Sequence, residues 1–126
     1  MQINISNGEL VDKVSILSIK LKKIKSKEKL FNVKKEFNLL YKKMILLGIS
    51  KNSLLYKTLL QINETLWVIE DKIRLKELNK EFDDEFVQLA RSVYIENDRR
   101  SEIKKQINLS TQSDLIEEKE YTLYNK

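Results

Sequence analysis

The sequence predicts an all-α fold, a compact bundle of about four amphipathic helices with a short C-terminal helical tail. Three observations predict it. The 126 residues include no proline and only two glycines, Gly8 and Gly48, so helix interiors are unbroken. Apolar residues recur at steps of three and four through four long stretches, the period of a buried helix face. Between those stretches stand serine, aspartate and glycine, the residues that start and stop helices. The length suits one hydrophobic core, and residues 1–126 are read as a single domain.

Ser6 or Asn7 caps the first helix, followed by Glu9 at its positive end. Leu10, Val14, Leu17, Leu21 and Ile24 form its stripe. Ser26 caps the second helix, whose stripe runs Leu30, Val33, Phe37, Leu40, Met44 and Leu47 until Gly48 supplies a left-handed terminator. Ser50, Asn52 or Ser53 begins the third, with Leu55, Leu59, Ile62, Leu66, Ile69 and Ile73 inward and a break near Asn79. The fourth opens around Asp83, turns Phe86, Leu89 and Val93 inward, and resumes its apolar face at Ile103 and Ile107. In the tail, Ser110 to Lys126, Asp114 is placed to cap a short turn or helix from Leu115 to Tyr121. Leu54, Tyr56 and Leu60 lie beside the main third stripe and offer a surplus apolar face, from which a homo-oligomer is expected.

Composition narrows the chemistry. The chain has neither cysteine nor histidine, which removes disulfides, thiolate nucleophiles, imidazole proton shuttles and histidine-held metals. An enzyme built from it would rely on carboxylates, Lys, Arg, Tyr and hydroxyls, with Mg²⁺ as the fitting cation. Met1 to Ser6 lacks the pattern of a signal peptide, and no apolar run approaches the roughly 20 residues of a membrane span. A cytoplasmic protein without membrane contact is expected.

Net charge is +5 but uneven. Residues 1–60 hold 13 Lys/Arg against 4 Asp/Glu (+9), and residues 61–126 hold 11 against 15 (−4). The lysines between Lys20 and Lys29 would suit phosphate contact, yet no arginine or aromatic residue is interleaved and no nucleic-acid reading motif accompanies them. Nucleic acid therefore ranks below a small-molecule partner.

Two helical bands depart from plain amphipathicity. On the fourth helix the inward face turns polar at Tyr94, Asn97, Asp98 and Arg100, and Lys104 extends it by a turn; buried polar groups must be paired, either internally or by a ligand. On the third, Leu60, Glu64, Trp67, Asp71, Arg74 and Leu78 form a band around the sole tryptophan. An indole beside Asp71 and Arg74 can stack a flat ring while its neighbours bind polar edges. An ordinary half-buried indole over an Asp71–Arg74 helix contact is the plainer alternative. Glu9 and Asp12 share a face near the start of the first helix, where two carboxylates could also reflect its positive end.

The Gly8-Glu9-Leu10-Val11-Asp12-Lys13 start, Leu66-Trp67 with Ile69-Glu70-Asp71 and Ile73-Arg74, Leu89-Ala90-Arg91-Ser92-Val93-Tyr94, and Asn97-Asp98-Arg99-Arg100 resemble an uncharacterised family of short helical proteins. The resemblance spans nearly the whole chain, with Asn7 where the family commonly has proline. It implies a similar length, occurrence in bacteria and their viruses, sometimes near sugar-transfer and surface-polysaccharide genes, and no assigned activity. Its polar signatures fall on the two unusual bands.

The leading expectation is a ligand-binding protein that binds or sequesters an anionic small molecule such as a nucleotide or sugar phosphate. Arg74, Arg100 and Lys104 would meet the anion, Trp67 and Tyr94 would pack against the ring, and Asp71, Asn97, Asp98, Glu9 and Asp12 would orient it. No cofactor is needed. The alternative is a Mg²⁺-dependent nucleotide phosphohydrolase or pyrophosphohydrolase with Glu9, Asp12, Glu64 and Asp71 on the metal. A third reading is a protein interaction module in which Arg74 and Arg100 pair internally with Glu64, Asp71 or Asp98.

Overall fold

A computed structural model describes residues 1–125; Lys126, the last residue of the expected tail, lies outside them. The described residues form four helices: α1 (Asn7–Lys23), α2 (Lys27–Leu46), α3 (Leu54–Leu78) and α4 (Asp84–Ser110). Each begins at a residue with cap chemistry. Ser6 Oγ accepts the Glu9 N–H, Ser26 Oγ that of Lys29, and Asp83 Oδ1 that of Phe86. Ser53 precedes α3 but accepts instead from the Ser50 N–H at 2.9 Å, tightening the turn that leads in. Gly48 ends α2 at φ 83°, the left-handed backbone that glycine adopts without strain.

Among the described residues, α1 packs along each of the other helices, while α3 and α4 also pack on each other as an antiparallel hairpin. Gly8 meets Asn108 and Asp12 meets Arg100, so α1 runs antiparallel to α4. The core gathers Leu10, Val11 and Val14 of α1, Met44 of α2, Tyr56 and Leu59 of α3, Ile107 of α4, and Ile49 from the α2–α3 turn. Fully burying side chains of this size stabilises the fold by roughly 1.5–3 kcal/mol each. Two of the three surplus residues are absorbed here: Tyr56 is buried and Leu60 packs against the cluster, leaving Leu54 exposed.

The hairpin outruns its cover. From Glu70 to Gln106 no residue is buried, although Ile73, Phe86, Leu89 and Val93 are half-buried along the inner seam. The far portion of α3 and α4 is therefore a two-helix arm projecting past the end of α1.

The expected helix over Leu115–Tyr121 is absent; the tail runs without regular structure along α4. Its acids make contacts that one short helix would not allow. Glu117 Oε1 accepts from Ser6 Oγ at 3.0 Å and pairs with Lys104, and Glu118 pairs with Lys105. A seven-residue helix is below the length at which nucleation is repaid in water, so these distant partners decide the conformation. Among the described residues no helix is long and apolar enough to cross a membrane.

Candidate functional site

The ten residues proposed from the sequence for ligand binding fall at four places rather than one. The first is a closed junction between α1, α3 and α4. Asp12, with a side chain only 1% exposed, receives Arg100 on both carboxylate oxygens: Nε donates to Oδ1 at 2.8 Å and a terminal nitrogen donates to Oδ2. Asn63 Nδ2 donates to Asp12 Oδ1 at 2.9 Å and to Ser15 Oγ at 2.7 Å, while the Ser15 hydroxyl donates to the Asp12 carbonyl. Hydrogen bonding to Asp12 raises the Arg100 pKa above its ordinary value, so the guanidinium stays charged. Among the described residues no buried side-chain polar atom lacks a partner. Arg100 thus pairs internally, as an interaction module would require, but with Asp12 rather than the acids expected. Asn63 and Ser15 complete the network without having been singled out in the sequence.

The second place is the start of α1. Lys104 Nζ bonds Glu9 Oε2 at 2.6 Å and lies 3.4 Å from Glu117. Burial lowers the Lys104 pKa, but the Glu9 hydrogen bond and the charges of Glu9, Asp12 and Glu117 outweigh it and leave the ammonium pKa raised. The first N–H groups of α1 are all spoken for: Asn7 by Ser113 Oγ, Gly8 by Asn108 Oδ1, Glu9 by Ser6 Oγ and Leu10 by the Ser6 carbonyl. This positive helix end has no N–H left for an anion. Glu9, Asp12, Arg100 and Lys104 therefore hold the bundle together here, where the sequence placed them around a ligand.

The third place, on another flank of α4, joins Tyr94 and Asp98 to the tail. The Tyr124 hydroxyl donates to Asp98 Oδ2 at 2.7 Å, and the Tyr94 and Tyr124 rings meet edge-on with centroids 5.0 Å apart. The hydrogen bond to Asp98 pushes the Tyr124 pKa up to about 12.

The fourth is a cleft of about 530 Å³ at the fork where α1 leaves the α3–α4 hairpin. Ile16, Ile19, Leu66 and Trp67 give it apolar surface, and Asn63, Asn97 and Arg100 border it from the closed junction. Glu70, Asp71 and Arg74 of α3 complete the lining. Arg74 is 79% exposed along its side chain, and its only ion pair among the described residues is a 3.8 Å contact with Glu70. Of the ten residues proposed from sequence, Trp67, Asp71, Arg74, Asn97 and Arg100 meet at this cleft.

The carboxylates proposed for Mg²⁺ are not brought together. Glu9 is tied to Lys104 and Asp12 to Arg100, Glu64 borders a separate depression with Lys22 and Lys23, and Asp71 lies at the cleft. Among the described residues no three acids form a group able to hold a metal ion. Helical spacing put acids on shared faces, but the docking of α1 gave the two innermost to cations.

The fold and these sites define an all-helical bundle protein pinned at its centre by a buried ion pair, with an open cleft alongside. The chain belongs to a family of unknown function, DUF6165, whose model matches residues 1–125. No curated protein and no solved structure matches it.

Proposed function

We propose that this is a ligand-binding protein whose cleft at Trp67 takes an anionic small molecule carrying a ring, such as a nucleotide or sugar phosphate. The observation that carries the reading is the meeting of the sole indole with an exposed, loosely paired guanidinium, Arg74, on the walls of a 530 Å³ cleft. That volume lies within the range of small-molecule sites. An indole face buries the apolar face of a base or sugar, and a guanidinium takes phosphate oxygens through paired N–H donors. Glu70 and Asp71 accept hydrogen bonds, so they suit the hydroxyls or exocyclic amines of such a ring. Arg74 replaces Arg100 and Lys104 as the anion contact, because those two are already engaged.

Binding, rather than turnover, fits a site whose candidate metal-holding acids are dispersed. Thermal-shift measurement against nucleotides, nucleotide sugars and sugar phosphates tests the reading. A stabilising compound is expected, with its effect lost in Arg74→Ala; an unshifted melting temperature across the panel, or a shift unchanged in that variant, contradicts it.

A further inference from the structure

The outer face of α3 carries a second apolar stripe that the bundle leaves uncovered. Val68 and Leu75 lie seven residues apart and Leu78 follows three further on, the spacing of a coiled-coil seam, and Phe82 adds an exposed ring just past the end of the helix. Val68, Leu75, Leu78 and Phe82 are 43%, 57%, 74% and 56% exposed. Phe82 stands in the turn just past the helix, braced edge-on against Phe86 at 5.3 Å between centroids. Leu75, Leu78 and Phe82 lie on the arm that has no buried residue of its own, and a two-helix layer holds only half a core.

We infer that a second copy of the chain covers the stripe, with two α3 helices packed antiparallel about a two-fold axis at Leu75. A copy is favoured over an unrelated partner because the chain itself carries both surfaces that the pairing would join. Antiparallel packing about Leu75 turns the helix end of one copy, with Phe82 in the turn just beyond it, toward Val68 of the other. Val68 borders a shallow depression of about 280 Å³, formed also by Ile19, Lys22, Lys23 and Glu64. Its apolar surface suits an aromatic ring, and two ammonium groups stand at its edge.

Charge agrees with the same register. The arm's tip, residues 76–85, holds five acids and two lysines, whereas the α1–α2 corner, residues 20–29, holds six lysines and one acid. Lys22 and Lys23 of that corner border the depression; at the tip Lys76 pairs with Glu81, Asp83 and Glu85, which leaves the tip net acidic, with Glu77 and Asp84 outside that cluster. Docking the ring therefore brings an acidic tip onto a basic corner, and the symmetry does so twice. Val68 to Leu78 spans about 15 Å at helical rise, nearly three turns of seam.

The test is the mass of the full chain in solution at micromolar concentration, by light scattering and sedimentation equilibrium. Twice the 15.0 kDa chain mass is expected, falling to the single mass in Leu75→Glu with helicity unchanged, while Leu54→Glu on the same helix stays dimeric. The double change Lys22→Glu, Lys23→Glu should raise the dissociation constant at least about tenfold, and adding Glu77→Lys with Asp84→Lys should recover much of the loss. The chain has no cysteine, so Leu75→Cys alone reports the axis: it should give a disulfide-linked dimer, and Leu54→Cys should not. A single chain mass for the unaltered protein overturns the inference, as does a dimer that survives Leu75→Glu and leaves Leu75→Cys unlinked.

Discussion

Asp12 and Arg100 lie 88 positions apart and form the bidentate ion pair that fixes α1 against α4. The two ends are unequal: the carboxylate is 1% exposed and the guanidinium 28%. Arg100→Ala would strand a buried anion, whereas Asp12→Ala leaves a cation that can turn partly to water. Breaking a buried pair costs about 3–5 kcal/mol. Arg100→Ala should fall within that range and Asp12→Ala below it, read from urea unfolding midpoints. Equal or reversed losses would show that the exposure difference does not govern the pair.

Gly8 lies so close to α4 that a Cβ there would strike the Lys104 carbonyl oxygen and approach Asn108 Oδ1 to 3.0 Å. Alanine improves helix propensity by up to about 1 kcal/mol, but the obstacle is backbone, and overpacking costs about 1–3 kcal/mol. Gly8→Ala should therefore be destabilising overall. Gly48→Ala meets open space, yet its φ of 83° should make it cost about 1–2 kcal/mol. Thermal unfolding of both variants checks the two causes separately.

The helix starts were legible because capping is local: Ser6, Ser26, Ser53 and Asp83 each stand next to the helix they begin. The cleft was legible in part, because the band around Trp67 is contained in one helix. The partners of Arg100 and Lys104 were not, since which acid reaches them depends on how α1 docks. Ser15 and Asn63 left a faint signal, as small polar residues one turn from Val11 and Leu59 on inward faces. Two such positions on different helices imply each other only once the helices are known to touch. The tail misled for the same reason, because the lysines that draw Glu117 and Glu118 into an extended path lie on α4.

Tyrosine ionisation should report the docked tail. Tyr124 is raised to about 12 by donating to Asp98, while Tyr56 is raised by burial. A raised phenol favours the neutral folded form: the Tyr124 contact is complete below the ordinary value near 10 and is lost as pH rises through about 12. In a phenolate absorbance titration, Asp98→Ala should return one tyrosine toward the ordinary range and leave Tyr56 late. An unchanged titration curve would mean that the Asp98 contact does not hold Tyr124.

Lys104 gives a second alkaline signature. Its pKa is raised in the folded chain, so its pairing stabilises the fold fully below the unfolded lysine value near 10.4 and is lost as pH climbs through the higher folded value. Lys104→Met should lower stability at neutral pH and flatten the fall in stability above pH about 10. Unfolding midpoints across alkaline pH measure both; a variant curve parallel to that of the unaltered protein would exclude the linkage.

Trp67 is the only tryptophan in the chain, so its fluorescence reads the cleft and nothing else. Titration with the nucleotide or sugar phosphate that stabilises the protein most should give a saturating change in emission, and Arg74→Ala should weaken the apparent affinity at least about tenfold. Emission that stays flat while the ligand still stabilises the protein, or affinity indifferent to Arg74→Ala, would place binding elsewhere and contradict the account.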